Sequence, residues 1–228
     1  MKALLFDVFG TVVDWRTSVA REVRDRCGPD IDSHAFADRW RSLYQPAMEE
    51  VRSGRRPFTR LDVLHMESLR FVLSEFDVRL DEDGIDDLNR AWHRLDPWPD
   101  SVPGLTRLRT EFIIAPLSNG NISLLLEMAK NAGLPWDAIL GAEPVQAYKP
   151  MPDAYLRTAE VLGLEPSECM MVAAHNSDLA AAAECGFATA FVARPLEHGP
   201  GQTSDITAEA VWTYSVDSID SLATQLGC

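Results

Sequence analysis

Leu4-Leu5-Phe6-Asp7-Val8-Phe9-Gly10-Thr11 is an apolar run that ends in a carboxylate and then turns at Gly10. Such a run reads as a short buried strand that delivers Asp7 to its carboxyl end, where open parallel sheets hold their ligands. An Asp placed there can act as a nucleophile, provided that a nearby cation keeps it ionised at neutral pH. Phe9, two residues on, is equally informative. A carboxylic acid at that position would protonate an alkoxide leaving group. Phe9 has no proton to give, so a leaving group that needs none suits this chain better.

Outward from this strand, short apolar runs alternate with amphipathic stretches, which predicts an α/β fold with a parallel sheet flanked by helices. The expected strands are Ala3–Phe6, Phe112–Leu117, Ala138–Leu140, Met170–Ala174 and Ala188–Val192. Between the first two, residues 15–98 carry almost no strand signal, while Leu61, Leu64, Leu69, Val72 and Leu73 recur at helical spacing. This predicts a sheet-bearing core of residues 1–14 and 99–228 with residues 15–98 inserted as a helical cap. Pro97-Trp98-Pro99-Asp100-Ser101-Val102-Pro103-Gly104 is the expected hinge back to the core, with Pro103 or Gly104 just ahead of a helix.

Composition narrows the partners. With 35 Asp and Glu against 21 Lys and Arg, the net charge of -14 speaks against nucleic acid, and an anionic substrate needs a local basic patch. Apolar residues at 46% suit a globular chain that buries a core, and no apolar run is long enough to span a bilayer. Four cysteines at 27, 169, 185 and 228 form no C-x-x-C pair, which fits reduced thiols rather than a disulfide or zinc framework. No targeting segment is apparent at the N-terminus, so a cytoplasmic location is expected. The oligomeric state is left open, a homodimer included.

The other expected strands also deliver chemistry at their carboxyl ends. Ser118 and Asn119 offer a hydroxyl, an amide and loop N–H groups to a carboxylate or a developing anion. Lys149 precedes Pro150, a context that favours extended backbone and an aimed ammonium, and a cation within about 4–6 Å would hold Asp7 ionised. Ala173-Ala174-His175-Asn176-Ser177-Asp178 supplies another acid, with His175 able either to position or deprotonate water or to serve as a structural ring. Asp178 alone makes a thin site for magnesium, which prefers several oxygen ligands. In the inserted region Arg41 follows Trp40, with Arg39 a rival on another helical face. Phe9, Trp15, Trp40 and Phe58 are candidates to wall an apolar pocket.

Asp7-Val8-Phe9-Gly10-Thr11, Ser118-Asn119-Gly120, Lys149-Pro150 and Asp178, in this order and spacing, resemble the haloacid dehalogenase superfamily and, more narrowly, its L-2-haloacid dehalogenases. The resemblance covers nearly the whole chain and implies a Rossmann-like core under a helical cap. It implies Asp7 as nucleophile steadied by Thr11, Ser118 on the substrate carboxylate, Asn119 and Arg41 near the halide, Tyr155 beside Lys149, and Asp178 as partner of Lys149. One segment departs from the family. Ser-x-Asn-x-x-Asp is usual where this chain has Ala173 and His175, leaving His175 or a displaced Asn176 for the water-positioning role. The implied activity is hydrolysis of a short 2-haloalkanoic acid to the 2-hydroxy acid and halide through an aspartyl ester, with no metal or organic cofactor. Two alternatives stand beside it: a magnesium-dependent phosphatase of the same superfamily, and a non-catalytic protein that sequesters a small carboxylate.

Overall fold

Ala3–Phe6 forms the first strand, β1, and the chain is laid around it. In the computed structural model, which describes residues 1–228, the next elements are β2 (Val13–Asp14), α1 (Trp15–Cys27), α2 (Ser33–Ser42), α3 (Tyr44–Arg52), α4 (Leu61–Glu75), α5 (Glu82–Asn89) and β3 (Asp96–Pro97). The chain continues through α6 (Ser101–Leu108), β4 (Ile113–Pro116), α7 (Ile122–Ala132), α8 (Pro152–Val161), β5 (Cys169–Ala173), α9 (Asn176–Glu184), β6 (Ala188–Val192), β7 (Tyr214–Val216) and α10 (Ile219–Gln225).

Five strands build one parallel sheet in the order β4-β1-β5-β6-β7. Phe6 is level with Pro116 of β4 on one side and with Val172 of β5 on the other. Because the three strands run the same way in register, the residues that follow them leave one edge together: Ser118-Asn119, Asp7 and His175. The ladder extends to that edge, with Asp7 N–H donating to the Val172 carbonyl and Leu117 N–H to the Phe6 carbonyl.

β1 is buried on both faces, as a central parallel strand must be. Leu4 and Phe6 join Ile114, Met170, Val172 and Ala190 on one face. Ala3 and Leu5 join Ala115, Met171 and Ala173 on the other. Helices α6, α7 and α10 cover the first face through Leu105, Leu124 and Leu222, and α8 and α9 cover the second through Tyr155 and Leu179. Each leucine withdrawn from water in this way contributes roughly 1.5–3 kcal/mol.

The inserted region is helical from Trp15 to Asn89 and ends in a 3-10 turn at Arg90–His93. The chain leaves and re-enters through a two-strand antiparallel ribbon in which Val13 faces Pro97 and Asp14 faces Asp96. Carboxylates start α1, α2 and α5: Asp14, Asp32 and Asp81 accept the N–H groups of Thr17, Ala35 and Gly84. Phe36, Trp40, Leu64 and Leu88 bury the facing sides in an apolar cluster continuous with the first face of the sheet.

Three local expectations are corrected. Ala138–Leu140 is not a strand but part of an irregular connection between α7 and α8, its apolar side chains serving as packing rather than ladder. β7 went unrecognised because Tyr214-Ser215-Val216 is too short to show a period, and it exists through pairing with β6. Finally, α6 starts at Ser101, so Pro103 and Gly104 lie inside its first turn rather than ahead of it. Gly104 is required there, since a Cβ would come within 2.7 Å of the Asp220 nitrogen on α10.

Candidate active site

The strand edge assembles its charges around Asp7, which is 7% exposed. Thr11 donates its hydroxyl to Asp7 Oδ2 at 2.7 Å, and Lys149 donates Nζ to Oδ1 at 2.9 Å. The His175 ring brings Nδ1 to 3.2 Å from Oδ2. Burial alone would raise the Asp7 carboxyl, but Lys149 and His175 more than reverse this and hold it well below the usual carboxylate range. Thr11 is itself fixed, because its oxygen accepts the Ala174 N–H at 2.9 Å.

Lys149 also donates to Asp178 Oδ2 at 2.5 Å, and Tyr155 donates its hydroxyl to Asp178 Oδ1 at 2.6 Å. Burial works against the Lys149 charge, yet the two carboxylates outweigh it and raise the ammonium above its ordinary value. Burial, with the Asp7 charge in support, pushes Asp178 up against the opposing pull of Lys149. The two acids are thus driven apart, with Asp7 the one held firmly ionised. Lys149, Tyr155 and Asp178 meet as the resemblance implies, across a cis Lys149–Pro150 peptide.

A cavity of about 170 Å³ opens on this group, with Phe9, Arg41 and Asn119 in its wall. It is smaller than the roughly 300–1,000 Å³ typical of drug-sized ligand pockets, so a short substrate fits and a large one does not. The Arg41 guanidinium lies 4.1 Å from the Tyr44 ring centre, 5.3 Å from that of Trp15 and 5.7 Å from that of Phe9. Its Nη1 is buried and has no hydrogen-bond partner. A desolvated charged donor left unpaired in native packing marks a place for an anion. Arg39, the rival, is spent at the surface on Glu75. Asn119 accepts the Lys149 N–H at 2.8 Å and donates to the Tyr44 hydroxyl at 3.1 Å, tying the start of α3 to the sheet edge.

Other expected residues fall elsewhere. Ser118 is buried with its hydroxyl accepting the Gly120 N–H at 3.2 Å, and it is absent from the cavity wall. Asn176 is likewise absent from the cavity wall. Its amide donates to Asp205 and to the Thr207 carbonyl and accepts from the Glu209 N–H and the Trp212 indole, so it clamps residues 205–212 instead. Trp40 is turned into the helical layer, where its indole donates to the His65 carbonyl, and Phe58 packs on Tyr148. Neither walls the pocket.

His175, by contrast, lines the cavity. Its Nε2 lies 2.9 Å from Glu197, a residue the motif reading missed. Burial opposes a charged ring, but Glu197 and Asp7 on either side raise it well above its ordinary value, making it an imidazolium in the resting site. The signal that could have found Glu197 is positional: it lies in the loop after β6, at the same sheet edge. Tyr44 carried no comparable signal.

The donor set does not fit magnesium. No cluster of three or more His, Cys, Asp or Glu side chains is arranged to hold a metal ion, and the Lys149 ammonium lies between the Asp7 and Asp178 carboxylates, where a cation would have to sit.

Residues 1–186 match the family model of haloacid dehalogenase-like hydrolases. The chain is 32% identical over 196 residues to the (S)-2-haloacid dehalogenase of Xanthobacter autotrophicus, covering 85% of this chain and 76% of that protein. Among solved structures, the defluorinating L-2-haloacid dehalogenase Rha0230 is 56% identical with a TM-score of 0.98, covering all of this chain and 96% of that one. The L-2-haloacid dehalogenase of Xanthobacter autotrophicus with chloropropionic acid covalently bound superposes with a TM-score of 0.83 at 25% identity, covering 99% of this chain and 98% of that one.

Proposed function

The chain belongs to the haloacid dehalogenase-like hydrolases, and we propose that it is a dehalogenating one, converting a short 2-haloalkanoic acid to the 2-hydroxy acid and halide through an aspartyl ester. The observation that carries this reading is the Asp7 carboxylate, held ionised among Thr11, Lys149 and His175 with Phe9 where a proton donor would stand.

Asp7 attacks the halogen-bearing carbon from the side opposite the halogen, the carbon–halogen bond breaks, and the halide departs without a proton. Arg41 Nη1, which lacks a partner, and the Asn119 amide supply donors to the substrate carboxylate or to the charge developing on the halogen. Water then attacks the carbonyl carbon of the ester, releases the 2-hydroxy acid with inverted configuration and restores Asp7. Lys149 supplies positive charge throughout, so no step in this reading passes through a metal.

Residues 15–98 are, in this reading, a cap that brings Arg41 and Tyr44 over the nucleophile. Fluoride is included among the leaving groups, since the 56% identical relative is described as defluorinating and C–F cleavage gains most from strong donors to the departing anion. We also place the enzyme in the cytoplasm, in keeping with four free thiols. A homodimer is compatible with the reading and is tested by light scattering. No helix is long and apolar enough to cross a membrane.

The test is halide release from a panel that includes chloroacetate, fluoroacetate and both enantiomers of 2-chloropropionate, with and without a chelator. Release that survives the chelator is expected. Magnesium-dependent phosphate release, with no halide from any 2-haloacid, would return the chain to the phosphatase alternative.

A further inference from the structure

The contacts that begin at Asp7 do not end at His175. His175 Nε2 lies 2.9 Å from Glu197 Oε2 and 3.2 Å from Oε1, and Glu197 is only 1% exposed. The Trp15 indole donates to the same carboxylate at 3.0 Å, and His198 Nε2 is 3.7 Å away. Gly10, three residues after the nucleophile, has a φ of 89° and gives the carboxylate its space. A Cβ there would come within 2.1 Å of Glu197 Oε1. A buried acid, a ring and the nucleophile thus stand in line, with the ring's other nitrogen 3.2 Å from Asp7 Oδ2.

We propose that Glu197 is a positioning residue for ester hydrolysis: by holding the His175 Nε2–H, it leaves Nδ1 facing the ester as the base that takes a proton from the hydrolytic water. The proposal rests on the aspartyl-ester reading and deepens its second step. Overall, the halide R–X and water become the alcohol R–OH, X⁻ and one proton. When Asp7 attacks, its negative charge passes to the halide, and His175 loses one of the two carboxylates that hold it charged. The Nδ1 proton leaves to solvent with the halide, while Glu197 keeps the Nε2 proton. Water then forms its bond to the Asp7 carbonyl carbon as Nδ1 takes one of its protons. Collapse breaks the bond from that carbon to the substrate oxygen, which receives the proton back from Nδ1 as the hydroxyl of the product. The regenerated Asp7 acid gives its remaining proton to His175 and restores the resting pair. Titratable and charged groups that face the ring are Asp7 and Glu197 directly, with Lys149 beyond Asp7 and Arg41 and His198 beyond Glu197.

Glu197→Gln separates the two steps. The amide removes the charge that steadies the imidazolium, and its NH₂ favours the tautomer with the proton on Nδ1, which is the wrong one for accepting from water. Rapid-quench measurement on the folded variant should show a stoichiometric halide burst near the wild-type rate. Release of the 2-hydroxy acid should slow by about 100-fold or more, the scale of general-base catalysis, and intact-protein mass spectrometry should find the ester accumulated on Asp7. Glu197→Asp, which keeps the charge, should recover part of the rate. Matched halide and hydroxy-acid release in Glu197→Gln, at the wild-type rate or equally slowed, overturns the role of Glu197. Wild-type enzyme gives an independent measurement should the variant fail to fold. On lowering the pH, Asp7 stays ionised while His175 stays protonated, so the halide burst should persist as hydroxy-acid release falls. Two steps that decline together in wild type also overturn the proposal, whereas no halide from any 2-haloacid overturns the aspartyl-ester reading beneath it.

Discussion

Replacing Lys149 by Met removes the one ammonium in the site while keeping an unbranched side chain one atom shorter. At 2.9 Å from Asp7, and with an effective dielectric constant of about 20, the lost attraction is on the order of 6 kcal/mol, which drives the Asp7 carboxyl upward. His175 still faces Asp7 and offsets part of this. What remains is a pair of buried carboxylates, Asp7 and Asp178, both wanting a proton. The variant should therefore lose at least about tenfold in rate at neutral pH, or about 1.4 kcal/mol of barrier, and regain activity as rising pH ionises the pair. Breaking a buried ion pair also destabilises a fold by about 3–5 kcal/mol, because the partners are left uncompensated. Lys149→Met/Asp178→Asn should recover much of that stability without recovering the rate at neutral pH. The measurement is single-turnover halide release across pH, with thermal melting in parallel. A Lys149→Met enzyme with an unchanged rate, or with its acid limb unmoved, would refute the assignment of Lys149 as the charge that keeps Asp7 ionised.

Asp7→Asn is isosteric and should abolish turnover while keeping the fold, at a lower melting temperature because Lys149 and His175 each lose a carboxylate partner; sustained halide release without deamidation would rule out a covalent step. Phe9→Asp places a second carboxylate beside Asp7 and should depress dehalogenation, an outcome read by halide assay with and without added magnesium. His175 has a raised folded pKa, so its stabilising contribution is complete below the unfolded value of about 6.5 and fades as pH climbs through the folded value. The stability difference between wild type and His175→Gln should accordingly shrink on the alkaline side, and a difference that grows with pH would contradict the imidazolium.

The fold was legible wherever a short-range pattern was itself the cause of structure. β1, β4, β5 and β6 are apolar because they are buried on both faces, and α4 shows its helical spacing because one side packs against neighbours. β7 has no such cause, since three residues become a strand only when β6 offers its edge. Ala138–Leu140 shows the converse: apolar residues can pack against a sheet without joining it.

The site divides along the same physical line. Asp7, Asn119, Lys149 and Asp178 could be placed because strand ends and a Lys-Pro pair fix their backbone locally. Arg41 could be named but not oriented, and what selects it over Arg39 is tertiary: aromatic rings from Phe9, Trp15 and Tyr44 enclose one guanidinium, while Glu75 draws the other outward. The altered segment at 173–178 is the most instructive. Read alone, it sets His175 where the family has Asn and offers Asn176 only with a shift of the loop, because adjacent residues at a strand end differ in direction and not in availability. Glu197 and Asp205 decide between them from loops about 20 to 30 residues downstream, one holding the imidazole toward Asp7 and the other holding the amide away from it. A departure from a family motif therefore has to be interpreted together with its partners: losing a Ser and an Asn leaves the chemistry intact when a buried acid and a ring replace them as a pair, and Gly10, already required by the turn after the nucleophile, leaves room for that acid.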